Sequence, residues 1–213
     1  MAASYVDAVA DAAATELDRL GSSQYLVAVT GAALEPPQVL AAVVEERYHG
    51  WQTFDRWADD TADERAAQSF VAAAERERQA RGKLSAELQS FGVTHSPSAE
   101  PGAMQAYLRT VEGPVERVAA GLVGSLLVTD RTLLQYVSFF VNEGDERRAD
   151  ILRTAREEIA RGREMGDWLL AEGLDADVSE GRVVEAATPA IEAAYGEYVE
   201  RLDDLGLDPR PVC

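Results

Sequence analysis

Apolar residues recur every three or four positions along almost the whole chain, and no stretch sustains a period of two. The first pattern places an apolar stripe on each of a succession of helices; the missing second pattern leaves no half-buried strand. Such a chain buries its stripes by packing helix on helix, so the fold class is all-α.

The helix limits follow from caps and breakers. Ser4 with Asp7 reads as a cap for a stripe of Val6, Val9, Ala13, Leu17 and Leu20, which Gly21 interrupts or lets pass toward Leu26, Val29 and a stop at Gly31. Glu35-Pro36-Pro37 opens the next helix, striped by Leu40, Val44, Trp51, Phe54 and Ala58. Thr61-Ala62-Asp63-Glu64 has the spacing of a capping box ahead of Phe70, Ala74, Leu84, Leu88 and Phe91. A Ser-, Pro- and Gly-rich linker spans 92–102, with a short helix from about Met104 to Leu108 after it. Val115, Leu122, Leu126, Leu133, Val137 and Phe140 stripe a long segment from Pro114 to about Val141. Asp145 opens another helix to about Ala171, whose Gly162 and Gly166 let a neighbour come close. After a loop at 173–181, Thr188-Pro189 starts or kinks a last helix carrying Ile191, Tyr195, Tyr198, Leu202 and Leu205. The expected layout is one domain over 1–213: hairpin 37–91, crossover 92–113, hairpin 114–171 and C-terminal helix 183–206.

Charge narrows the classes of function. Acids outnumber Lys and Arg 38 to 20, a net charge of −18, and Lys83 is the only lysine. In about 1 M salt the Debye length is about 3 Å, so such a surface stays hydrated while its self-repulsion is screened. A halophile's cytosol suits it; an ordinary acidic cytosolic protein is the alternative. Few cations are available to displace counterions from a phosphate backbone, so no direct nucleic-acid contact is expected. No apolar run reaches the roughly 18 residues of a membrane span. Acids stand near the N-terminus where a signal peptide would carry Lys or Arg, so a cytoplasmic protein without a membrane role is expected. Cys213 is the only cysteine, so no intrachain disulfide forms.

The stretch at 63–84 echoes 145–165, each beginning Asp-Glu-Arg after an aromatic-rich helix end. Either two similar hairpins are joined by the long crossover, the layout of ferritin-like bundles, or Ala/Glu/Arg-rich helices are alike by composition. VLAAVVEERYHGWQTFDRWADD at 39–60 and SFVAAAERERQARGKLSAEL at 69–88 resemble the ferritin-like hairpin of rubrerythrins, particularly the rubrerythrin-like proteins of haloarchaea. The resemblance covers residues 37–91 well and 114–171 loosely. It implies a ferritin-like up-down helical bundle with additional N- and C-terminal helices. It also implies a two-metal centre of iron or manganese, acting on peroxide or oxygen or storing iron. In that family one helix gives an inward carboxylate seven residues before an aromatic, the next gives Glu-x-x-His, and two more helices repeat the set. Some haloarchaeal relatives carry the name transcription antitermination protein, a role that here would run through protein partners.

The ligands such a centre needs are largely missing. Glu46-Arg47-Tyr48-His49 looks like Glu-x-x-His, but at about 100° per residue the stripe through Leu40, Val44, Trp51 and Phe54 turns His49 outward, as a solvated histidine, and Glu46 to the flank. The inward residue seven before Phe54 is Arg47. On the next helix the inward acid is Glu77, with Ala80 where the imidazole should stand. Asp130 and Glu158 are the inward acids of the later pair, and His95 lies in the linker. Three arrangements remain open: Arg47 buried among Glu77 and Asp130, with Glu158 near; Arg47 snorkelled to the surface; or a working metal site. The first predicts no metal, no cofactor and no catalytic residue, in a protein that acts through a protein partner or self-association. Iron or manganese belongs to the enzymatic alternative. Asp175-Ala176-Asp177-Val178-Ser179 begins like a calcium loop, but Glu180 takes the glycine position. Cys213 has only Arg210 as a nearby cation.

Overall fold

A computed structural model describes residues 4–174 and 177–209, and among them every regular element is helical. The N-terminal stripe is broken into α1 (Tyr5–Ala12), α2 (Ala14–Leu20) and α3 (Gln24–Thr30). The extra break falls at Ala13, and Gly31 ends α3 in the left-handed conformation, φ 60°. Ser4 makes no cap bond; its hydroxyl donates to Asp167 at 3.1 Å. Then come α4 (Pro36–Asp60) and α5 (Glu64–Gln89). The cap of α5 is Asp63, which accepts from the Ala66 N–H at 2.9 Å, and not Thr61. The crossover carries α6 (Ala103–Leu108). Next, α7 (Pro114–Arg117) runs through a buried π-helical stretch, Val118–Gly124, into α8 (Ser125–Asn142). The last elements are α9 (Glu146–Trp168), continued by π-helical Leu169–Gly173, and α10 (Glu180–Asp204), which holds Pro189 inside rather than at its start. Of the calcium-like loop, Asp175 and Ala176 lie outside the described residues, as do Arg210 and Cys213.

Side-chain contacts give the helix directions. Turns of three residues, 61–63 and 143–145, fold α4 back on α5 and α8 back on α9. Arg148, early in α9, reaches Glu87, late in α5, at 3.3 Å. Arg65, early in α5, donates to the carbonyl of Gly173 beyond α9 at 2.8 Å, so α5 and α9 are antiparallel. Tyr136, late in α8, donates to Glu46 in the first half of α4, while Gly121 lies against Trp57 near the end of α4. The order is therefore up, down, down, up, and the crossover must travel the length of the bundle between α5 and α8.

The core is continuous through these helices. Phe54, Trp57 and Phe70 lock α4 to α5, with ring centroids 5.2–6.2 Å apart, an arrangement that adds about 0.5–1.5 kcal/mol per pair to the burial. Phe70, Ala74, Leu84 and Leu88 are buried as the stripe requires, but Phe91 is exposed beneath the Arg148 guanidinium, 4.4 Å from its ring centre. A Cβ on Gly166 would stand 2.8 Å from the Leu122 Cβ, so this glycine sets how near α9 comes to the π-helical stretch that leads into α8. The short N-terminal helices and α10 cover the remaining face, burying Leu17, Leu20, Ile191, Tyr198 and Leu202. No helix among the described residues is long and apolar enough to cross a membrane.

Candidate functional site

Three consecutive residues of α4 enter three environments. Arg47 points at α5, where Nη1 donates to Glu77 Oε1 at 3.1 Å, both side chains being 5% exposed. Room for that carboxylate comes from Gly50, one turn along α4, where a Cβ would lie 3.3 Å from Glu77 Cδ. Burial pushes the Glu77 carboxyl above its usual range, against the pull of Arg47 and Arg76. Burial works against the Arg47 charge too, but Glu77 and Glu46 outweigh it and raise the guanidinium pKa. The pairing is incomplete: Arg47 Nε and Glu77 Oε2 are buried without a hydrogen-bond partner. Glu46 turns instead toward α3 and α8. Its Oε1 accepts from Tyr25 at 2.7 Å and Tyr136 at 2.5 Å, while Oε2 lies 3.6 Å from Arg47 Nη2. Burial and then the Glu46 charge lift both tyrosine pKa values well above the ordinary phenol.

The anticipated partner Asp130 does not join Arg47. It faces α9, where Arg156 Nε donates to it at 2.8 Å and Arg163 stands 3.7 Å away. Two arginines seven positions apart on one helix face outcompete a guanidinium that Glu77 already holds. Glu158 pairs with Arg161 on its own helix, its side chain 37% exposed. It does line a cavity of about 160 Å³ with Arg47, Arg76, Glu77 and Ala80. Among the described residues Arg76 makes no ion pair, and burial lowers its pKa.

His49 is not a solvated histidine: it is 3% exposed. The apolar stripe marks only one covered face of α4, and the crossover lies over the other. His49 Nε2 bonds Glu45 Oε1 at 3.0 Å, and Arg109 Nη2 lies 3.3 Å from Nδ1. A guanidinium can only donate, so Nδ1 accepts and Nε2 carries the proton toward Glu45. His95, from the linker, reaches Glu45 Oε2 at 2.6 Å, and Ser98 donates to Oε1 from its backbone N–H at 3.0 Å and from its hydroxyl. Burial pushes Glu45 up, but the bonds from Ser98, His95 and His49 prevail and hold its pKa at about 2. This clasp ties the crossover to α4. Nothing in the sequence points to it, because a linker has no periodicity to show which helix it will cross.

Chemically, then, α4 presents a buried ion pair, a carboxylate held by two phenols, and a hydrogen-bonded clasp. Among the described residues, no group of three or more His, Cys, Asp or Glu is arranged to hold a metal ion. Compared with family models, with curated proteins and with solved structures, the chain finds a match in none of the three.

Proposed function

We propose that this chain is a ferritin-like bundle of the rubrerythrin kind whose metal centre has been replaced by an ion pair, and that it serves as a non-enzymatic binding or regulatory protein. The up, down, down, up order of α4, α5, α8 and α9, with a long crossover in the middle, supports the fold part of this reading. The observation that carries the rest is the Arg47 guanidinium, buried against Glu77 beside Ala80 where such a bundle would gather ligands. A permanent cation at that place repels a dication and takes the carboxylate the metal would use. The donor set does not fit a two-metal centre: α5 offers Glu77 without an imidazole, and Asp130 is held by α9.

Anaerobic reconstitution with ferrous iron, manganese or zinc, followed by metal analysis, tests this. The expected result is less than one tightly held ion per chain. Two bound ions with peroxide-dependent oxidation would overturn it and make the chain a dimetal oxidoreductase.

A further inference from the structure

A cavity of about 170 Å³ lies on the other side of Arg47 from the Glu77 pair, between α3, α4, α8, α10 and the crossover. Val29, Ala42, Met104, Val128 and Ala194 give it apolar walls. An apolar protein cavity of roughly 150 Å³ accepts benzene, so this space is large enough for a compact organic molecule.

Its polar atoms tell what that molecule carries. The carboxylates of Glu45 and Glu197 also line it, but their oxygens are taken, the first by His49, His95 and Ser98, the second by Arg201 and the Ala103 N–H. Glu46 is different. Tyr25 and Tyr136 both donate to Oε1, while among the described residues Oε2 accepts no hydrogen bond and its nearest cation, Arg47, is at 3.6 Å, well beyond the ~2.7–2.9 Å of a charge-assisted bond. Thr129, 5% exposed, also lines the cavity, and its hydroxyl makes no hydrogen bond among the described residues. Glu46 Oε2, on a side chain 24% exposed and in an ion pair with Arg47 at 3.6 Å, and Thr129 Oγ1 thus both keep room to accept a hydrogen bond from a guest in this open-mouthed cavity. Tyr25 and Tyr198, both in the lining, stack with ring centroids 6.5 Å apart, and aromatic faces attract cations. The net charge of −18 sets the surrounding potential in the same sense. An anion finds less: of the lining cations, Arg201 pairs with Glu197, and Arg47 is shared between Glu77 and Glu46.

We propose that this cavity binds a small organic ammonium ion, a primary amine on a body of about six carbons, with the ammonium at Glu46 Oε2 and Thr129 Oγ1. The proposal rests on the chain being a binding protein, not on the loss of a metal centre. Metal uptake would overturn the latter and leave the amine titration as it is.

The test is calorimetric titration of the full chain with cyclohexylamine, cyclohexanol and cyclohexanecarboxylate at neutral pH. The amine should bind at least about tenfold tighter than the alcohol, and the carboxylate should not bind. Glu46→Gln should erase the preference while leaving alcohol binding intact. Ala42→Phe, which fills the wall, should abolish both with the helical circular dichroism unchanged. If either variant fails to fold, Thr129→Val should still weaken the amine several-fold in a folded chain. Absence of amine binding, equal binding of all three probes, a preference for the carboxylate, or amine binding undiminished by these substitutions would each overturn the proposal.

Discussion

The hairpin of α4 and α5 and the hairpin of α8 and α9 open their second helices with the same device. Asp63 accepts from the Ala66 N–H at 2.9 Å and Asp145 from the Arg148 N–H at 3.1 Å, satisfying one of the first-turn donors a helix leaves open. Each hairpin also carries an ion pair across its two helices. In the first, Arg47 and Glu77 are both 5% exposed and share one hydrogen bond. In the second, Asp130 is 12% exposed and Arg156 39% exposed, with Arg163 as a further arm. Their glycines differ in the same way: Gly50 makes space for a carboxylate, whereas Gly166 brings backbone against backbone. One sequence plan thus yields a polar centre in one half and close packing in the other. The consequences of disturbing the two halves should differ accordingly.

The largest effect is expected at Arg47. Arg47→Ala strands the Glu77 carboxylate, and breaking a buried pair from one side costs about 3–5 kcal/mol. Arg47→Met with Glu77→Leu removes both charges and should recover most of that loss. Because burial raises the Glu77 pKa, its protonated form suits the fold, so the Arg47→Ala deficit should shrink as pH falls toward the ordinary value of 4.5 and be smallest below it. Asp130→Ala leaves arginines that reach water and should cost about 1 kcal/mol or less. Denaturant midpoints at fixed salt give all of these values. Equal losses at Arg47 and Asp130 would mean that burial is not what separates the two hairpins.

A smaller effect should come from the packed half. Gly166→Ala places a Cβ 2.8 Å from the Leu122 Cβ and 3.2 Å from the Leu122 backbone, where neither atom is the free end of a flexible chain. Overpacking of this kind costs about 1–3 kcal/mol, against about 1 kcal/mol that alanine returns in helix propensity. A net loss in thermal midpoint is expected. A gain would show that α9 can move freely away from the π-helical stretch at 118–124.

The two halves were also unequally legible. Phe70, Ala74, Leu84 and Leu88 share one face of α5, and the same turn angle that buries them buries Glu77. Periodicity places a residue on a face, but it does not choose that residue's partner. Periodicity turns Asp130 inward but leaves its partner open, and the signal that it pairs across its own hairpin is Arg156 and Arg163, which share one face of α9. The tyrosines on Glu46 come from 21 and 90 positions away, and no local pattern links them to it. The second buried face of α4 was invisible for a related reason. His49 and Thr53 are covered by Ser98, Gln105 and Arg109 of the crossover, whose route is set by tertiary contacts alone. Likewise Ala13 ends α1 without any of the usual stop residues.

The smallest effect belongs to the clasp, and it separates the crossover from the core by its pH dependence. Glu45 is held at about 2, well below its ordinary value of 4.5. A carboxyl with a depressed folded pKa adds stability that is fully present above the ordinary value and is lost as pH falls toward 2. That is opposite in sense to Glu77, whose raised pKa favours the fold on the acid side. The groups facing Glu45 are His49, which Arg109 holds from the other ring nitrogen, His95 and Ser98. Glu45→Gln removes the titration and weakens all of these bonds, so its stability profile between about pH 4.5 and 2 should be flatter than the parent's. The change at neutral pH should be slight, because a quarter of the Glu45 side chain is exposed and water replaces part of what is lost. Faster hydrogen exchange at the Ser98 N–H, with the core amides of α5 unchanged, would place the loss in the crossover. An acid limb identical to the parent's, with Ser98 exchange unaltered, would show that the crossover is held by its apolar contacts and that the clasp adds nothing.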